Sequence, residues 1–219
     1  MVLQQQANGT RIKKKQLSLV KKNIYLITPN QLDRSFYTYL PKLLKSNKIA
    51  YLQIRLKRTS KTKLIQEIKK IKKIVNNKTK LIINDYPDIA SQLQCDGCHL
   101  GQSDSKIKIV KQKYPSLKII GATCHNSKQL ALRAIQDGCS YVAFGSFFKT
   151  KTKKVKYRAN LSLLQWAYKK IKKPIVAIGG INEKNYQSLL KSGANLIACS
   201  GFIWKNKQFD PVEALLQLK

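Results

Sequence analysis

The chain has 219 residues, 43% of them hydrophobic and 8% aromatic, enough apolar material for one sizeable core and too much for a disordered polymer. Its 43 Lys+Arg against 10 Asp+Glu give a net charge of +33, and its five Cys, an odd number, argue against a secreted disulfide framework. No window approaches the roughly 18–20 uninterrupted apolar residues of a membrane span, and the first apolar stretch is too short for a signal-peptide core, so the reading is cytoplasmic, with no membrane partner.

In chain order, residues 1–22 read as a basic N-terminal extension, and residues 23–219 as one domain in which short β-branched runs alternate with amphipathic ones. The strand candidates are Ile24–Thr28, Ala50–Arg55, Lys80–Asn84, Gly97–Leu100, Lys118–Ala122, Tyr141–Phe144, Pro174–Ile178 and Leu196–Ser200. Helical periodicity is clearest over Lys61–Val75, Ser127–Gln136, Leu161–Lys172 and Glu183–Lys191. Several strand candidates are almost wholly apolar, as in a parallel sheet covered on both faces. Eight βα units in about 200 residues predict an α/β fold of the TIM (β/α)8 barrel type. An open doubly wound sheet fits less well, because Thr28-Pro29-Asn30, and no Gly-rich turn, follows the first strand.

The charge suggests nucleic acid at first sight, but it is carried by 37 Lys and only 6 Arg. Readers of nucleic acid favour the bidentate Arg fork and interleaved aromatics. The densest runs, Lys69-Lys70-Ile71-Lys72-Lys73 and Lys169-Lys170-Ile171-Lys172-Lys173, fall at helix C-termini, where cations oppose the helix dipole. A solvated basic surface with an anion site explains this pattern better than a specific nucleic-acid interface.

In a barrel, chemistry collects where strands run into βα loops. Gln53, Arg55 and Lys57 end the second strand, Asn84 and Asp85 the third, and His99 the fourth, with Gln102 and Asp104 following. Thr123 and His125 follow the fifth, Thr150-Lys151-Thr152-Lys153 the sixth, Gly179-Gly180 the seventh and Ser200-Gly201 the last. Four of the ten acids lie between residues 85 and 104, and Asp85 and Asp104 follow neighbouring strands, so one hard cation such as Mg2+ can take both. Helix N-capping is the competing role for Asp104. Arg55, Lys57 and Lys153 would face the same opening, and a metal-bridged polyanion accounts for both signs. The glycines after strands seven and eight suit a second, backbone-built phosphate site. Cys95-Asp96-Gly97-Cys98-His99 spells a haem-attachment pattern, but it overlaps a buried strand and reads as coincidence. His99 and His125 read as polar mouth residues, and no Ser-His-Asp arrangement is present.

These segments resemble the thiamine phosphate synthase family. The resemblance rests on Gln53-Ile54-Arg55-Leu56-Lys57, Ile83-Asn84-Asp85, Asp96 to Asp104 (including His99, Gly101 and Gln102), Gly121-Ala122-Thr123-Cys124-His125, Phe144 to Lys153, and Ala177-Ile178-Gly179-Gly180-Ile181. It implies a TIM barrel that couples hydroxymethylpyrimidine diphosphate to thiazole phosphate with release of pyrophosphate. By that resemblance Gln53, Arg55, Lys57, Asn84 and Lys153 hold the pyrimidine diphosphate with help from Thr123, Arg55, Lys57 and Lys153 acting in catalysis. Asp85 and Asp104 bind Mg2+, and Thr150, Thr152, Gly179, Gly180, Cys199 and Ser200 hold the thiazole phosphate. Thr123 stands where the family usually has Ser, Leu56 replaces a frequent Glu, Ser146 and Lys149 replace prolines, Ser140 an Asp, and Cys199 an aliphatic residue. The alternatives are a thiazole tautomerase-like paralogue and a non-catalytic basic nucleic-acid-binding protein; a homo-oligomer is left open.

Overall fold

The computed structural model describes residues 22–150 and 156–218. Eight strands, β1 (Ile24–Ile27), β2 (Ile49–Ile54), β3 (Lys80–Asn84), β4 (Gly97–Leu100), β5 (Ile119–His125), β6 (Tyr141–Gly145), β7 (Ile175–Ile178) and β8 (Leu196–Cys199), alternate with helices. Every neighbouring pair is parallel, and β1 pairs with β8 to close the sheet into a barrel. The α/β TIM barrel expected from the repeat pattern is therefore the fold.

The intervening helices are α1 (Arg34–Lys45), α2 (Lys61–Val75), α3 (Pro87–Gln92), α4 (Ile107–Lys113), α5 (Lys128–Gln136), α6 (Leu161–Lys170) and α7 (Tyr186–Lys191). After β8 come α8 (Gly201–Trp204) and α9 (Pro211–Gln217). Side chains of Asp33, Ser60, Ser127 and Asn160 accept from backbone N–H groups at the starts of α1, α2, α5 and α6, satisfying donors that a helix start leaves orphaned. Lys72 and Lys73 end α2, and Lys169 and Lys170 end α6, so the dense lysine runs do oppose helix C-termini. No helix among the described residues is long and apolar enough to cross a membrane.

The two-residue period of the strands sorts the core into two layers. Residues such as Leu26, Leu52, Ile54, Leu81, Ile83, Cys98 and Ile120 point outward and pack under the helices. A smaller inner cluster of Tyr25, Ile27, Tyr141, Ala143, Val176, Leu196 and Ala198 fills the barrel. Gln53, His99 and Thr123 share the inward parity of Tyr51, Gly97 and Gly121 on their strands, which carries polar groups up the axis to the C-terminal mouth.

Candidate active site

The strand ends meet at the mouth as a built polar surface. At β2, the Arg55 backbone N–H donates to Thr28 Oγ1 at 3.0 Å, and the Lys57 N–H donates to Asn30 Oδ1 at 2.7 Å. The loop after β1 thus braces the two cations. Thr28 is itself 3% exposed, and its carbonyl accepts from Ser200 Oγ at 3.3 Å, which ties the loop after β8 to the same brace. Sequence reasoning missed Thr28 and Asn30: they act across 27 residues of chain, and nothing local marks them.

Asp85 sits just past β3 with φ 65°, a left-handed conformation that short polar side chains tolerate. Its N–H donates to the His99 carbonyl at 3.0 Å, which locks that turn onto β4. Asp104 folds back so that its Oδ2 accepts from Gly101 N–H at 2.6 Å. It does not cap the next helix, whose first flanking residue is Lys106. The Asp85 and Asp104 carboxyl groups are close enough for each to bear on the other's proton. Burial first, then the Asp104 carboxyl beside it, push Asp85 up to about 6, while Arg55 and Lys57 pull in the opposite direction. Arg55 is half-buried; burial lowers its pKa and Asp85 raises it.

Two converging carboxylates are the donor chemistry of a hard divalent cation that keeps water and substrate oxygens in its remaining positions. Among the described residues no group of three or more His, Cys, Asp and Glu is assembled to enclose a metal, so an all-protein cage is not the arrangement. Beside the pair opens a cavity of about 380 Å3 lined by Lys57, Arg58, Asn84 and Asp85, with Ile54 and Leu56 at its apolar wall. Gln53, Arg55, Lys57, Asn84, Asp85 and Asp104 are thus brought to one sector of the mouth.

Thr123 lies further round. Its Oγ1 is 2.8 Å from His99 Nε2, and Gln102 Nε2 donates to its carbonyl. His99 is a partner of interior groups, and burial lowers its pKa to about 4. His125, with φ 50°, packs against the Tyr157 ring at 4.4 Å between ring centres, the two planes tilted by 31°.

The opposite sector carries the glycine turn. Gly179 (φ 107°) and Gly180 (φ 66°) both occupy conformations that side chains rarely adopt. A Cβ at Gly179 would lie 2.0 Å from Ser146 Oγ, and one at Gly180 would lie 2.4 Å from the Lys149 carbonyl oxygen. The loop after β6 packs on this turn, Phe147 and Phe148 N–H donating to the Ile178 and Gly179 carbonyls at 3.2 and 3.0 Å. Ser200 stands next to it at the start of α8. The Cys199 side chain is 2% exposed and packs outward under the helices, so its thiol does not face the mouth. Thr150 is partly exposed at the rim, whereas Thr152 and Lys153 lie outside the described residues. Cys95 and Cys98 are buried thiols pushed up to about 11 and about 12, and His99 bonds away from them.

The glycine turn makes a prediction. Gly180→Ala should lower thermal stability by at least about 1–2 kcal/mol, the left-handed penalty before any clash. Thermal unfolding checks it; a variant as stable as the wild type would show that the turn carries no such strain.

Residues 24–203 match the family described as thiamine monophosphate synthase. The chain is 50% identical over 207 residues to a thiamine-phosphate synthase of Pelagibacter ubique (strain HTCC1062), covering 94% of this chain and 100% of that protein. It is 35% identical to one from Rhodospirillum centenum (strain ATCC 51521 / SW), over 84% of this chain and 89% of the relative. Among solved structures, a thiamine phosphate pyrophosphorylase from Pyrococcus furiosus superposes with a TM-score of 0.78 at 28% identity, covering 91% of this chain and 94% of that one. The chain belongs to the thiamine monophosphate synthase family, enzymes of thiamine biosynthesis with thiamine-phosphate synthase activity.

Proposed function

We propose that the chain joins hydroxymethylpyrimidine diphosphate to thiazole phosphate, giving thiamine phosphate and pyrophosphate, by a Mg2+-dependent transfer in which the C–O bond breaks before the new C–N bond forms. The observation that carries this reading is the Asp85–Asp104 carboxyl pair set beside Arg55 and Lys57 at one sector of the mouth. A cation held by Asp85 and Asp104 supplies charge neutralisation to the diphosphate when bound.

The chain's own groups do the rest. Arg55, Lys57 and Asn84 bind diphosphate oxygens, Lys153 stabilises the charge that grows on the bridging oxygen, and Gln53 and Thr123 orient the pyrimidine. The aminopyrimidine stabilises a methylene cation, so the protein needs no nucleophile, only charge stabilisation of the leaving group and placement of the acceptor nitrogen. Thr150, Thr152, the Gly179-Gly180 turn, Ser200 and the Cys199 backbone place the thiazole phosphate. All five cysteines stand as free, buried thiols, which suits a reducing cytoplasm. The decisive experiment is incubation with both substrates and Mg2+, assayed for thiamine phosphate. Product formation that EDTA abolishes supports the reading, and turnover unchanged by EDTA removes the metal from it.

The carboxyl pair also predicts a pH signature. Asp85 titrates near 6 in the folded state against an ordinary 3.8, so the folded chain binds more protons than the unfolded one between those values. Stability from this group therefore falls as pH rises from about 4 to about 6, and stays lowered above. Mg2+ should relieve that repulsion, raising Tm near pH 7 more than near pH 5. Equal rises at both would mean that the cation binds elsewhere.

Lys153 supplies another test. Lys153→Ala is expected to lower kcat about 100-fold with a smaller change in KM, because a cation aimed at the departing oxygen acts mainly in the transition state. Lys151→Ala is the control, expected near wild type. Equal mild losses in both would make the segment no more than a basic surface.

A further inference from the structure

Inside the barrel, below the mouth, runs a line of hydrogen bonds that draws one residue from each of five strands. Gln53 Nε2 donates to Tyr25 OH at 2.9 Å, and Tyr25 OH lies 2.6 Å from Tyr141 OH. Tyr141 OH lies 2.9 Å from His99 Nδ1, and His99 Nε2 lies 2.8 Å from Thr123 Oγ1. Tyr25 and Tyr141 are 2% and 0% exposed, and the His99 and Tyr141 rings stack at 15°. The line exists only because Gly121 has no side chain: a Cβ there would sit 1.9 Å from Tyr141 Cζ. Nothing in the reaction outlined above uses Tyr25, Tyr141 or His99.

Counting protons along the line gives it a direction. An amide nitrogen can only donate, so Tyr25 accepts from Gln53; at 2% exposure its own buried proton then has an acceptor only if it goes to Tyr141. Tyr141, having accepted, gives its own proton to His99 Nδ1. An imidazole that accepts at Nδ1 and stays neutral carries its proton on Nε2 and donates to Thr123 Oγ1. Thr123 has then accepted, and among the described residues no other group takes its hydroxyl proton. That proton is left for the mouth. At the other end the Gln53 amide has given an N–H inward, which leaves its carbonyl oxygen as the atom that can accept from a ligand.

The geometry points to Tyr25, Tyr141 and His99 as positioning residues: a one-way relay that holds Thr123 as a hydrogen-bond donor and Gln53 as an acceptor toward the pyrimidine diphosphate. The inference rests on Gln53 and Thr123 contacting that substrate. It adds a specificity rule, because a ligand must offer a donor at the Gln53 side and an acceptor at the Thr123 side. A 4-aminopyrimidine carrying a diphosphate presents both. A 4-oxo analogue has no amino donor and meets Gln53 with the wrong sign. Buried polar groups of fixed sign discriminate far more sharply than apolar walls, because a mismatch leaves a partner unpaired.

The test reads the tautomer directly. The chain has only two histidines, so nitrogen-15 NMR of the side chains gives two imidazoles, and His125→Asn, which tolerates the left-handed backbone there, assigns His99 by elimination. Free wild-type enzyme at neutral pH should show His99 protonated at Nε2 and bare at Nδ1. Tyr141→Phe should lose that single tautomer, lower kcat about tenfold, the scale of one hydrogen bond, and leave KM for the thiazole phosphate unchanged. Thr123→Ala should lower activity alone but add little in the Tyr141→Phe background, since both break one line. Tyr25→Phe, one link further back, repeats the tautomer loss should Tyr141→Phe fail to fold. A wild-type His99 protonated at Nδ1, or losses that simply multiply, would overturn the relay. A Thr123→Ala enzyme with full activity beside the expected tautomer would instead sink the substrate contact on which the inference rests.

Discussion

An Asp104→Asn enzyme should lose roughly 1000-fold in kcat/KM, near the upper end for a single preorganised charge-stabilising group. It should unfold at nearly the wild-type temperature. The asparagine keeps an oxygen to accept the Gly101 N–H that Asp104 holds at 2.6 Å, so the turn survives while the charge does not. Asp104→Ala removes both and is the coarser test. The substitution has a second signature. Part of what pushes Asp85 up to about 6 is the neighbouring Asp104 carboxyl, so Asp85 should ionise at lower pH in the variant. The acid limb of whatever activity remains should move down with it. Kinetics across pH, with and without added Mg2+, check both parts. A variant of normal activity would take Asp104 out of the metal site.

Replacing Arg55 should cost a similar factor and move the pH profile the other way. Arg55→Ala is expected to lower kcat/KM roughly 1000-fold, as losing an arginine from a developing phosphate charge commonly does. Arg55 also draws the Asp85 pKa down, so without it Asp85 should titrate above 6 and the acid limb should rise. Arg55→Lys tests geometry apart from charge. A lysine restores the field on Asp85 but not the planar fork, so the limb should return while most of the rate does not. Opposite displacements in the Asp104 and Arg55 variants would identify Asp85 as the titrating group. Two unmoved profiles would assign the limb to another residue.

The site was legible because a parallel barrel converts sequence order into place. Once eight strands are recognised, every C-terminal strand end lies at one face, and Gln53, Arg55, Asn84 and Asp85 fall there by their position at the ends of β2 and β3. Helix α2 was equally plain, with Ser60 as its cap and apolar residues at Leu64, Ile68, Ile71 and Val75. Less was visible where local rules conflict. Pro41 inside α1 masks a twelve-residue helix, because proline removes a backbone donor there. Strand β5 runs on to His125 through an irregularity between Thr123 and His125, where the polar residues suggested that it had already ended. The Tyr25–Tyr141 contact joins residues 116 apart in sequence. Period-two alternation places both rings inside but cannot say which strands bring them together.

Closure of the sheet has a consequence for how the chain reaches this state during synthesis. The final ladder pairs Tyr25 with Ala198, and just beyond it Trp204 Nε1 donates to the Ile27 carbonyl, 177 residues back, at 2.8 Å. Until β8 has emerged, β1 and β7 are both raw edges with unpaired donors and acceptors. Contacts this distant in sequence are slow to find, and the incomplete sheet is the species most prone to join another copy. The link from Ser200 to Thr28, and with it the tie between the last loop and the Arg55 brace, assembles only when that last seam shuts. Catalytic competence should thus arrive in one step with the final strand, and a chain cut before Trp204 should aggregate rather than retain partial activity.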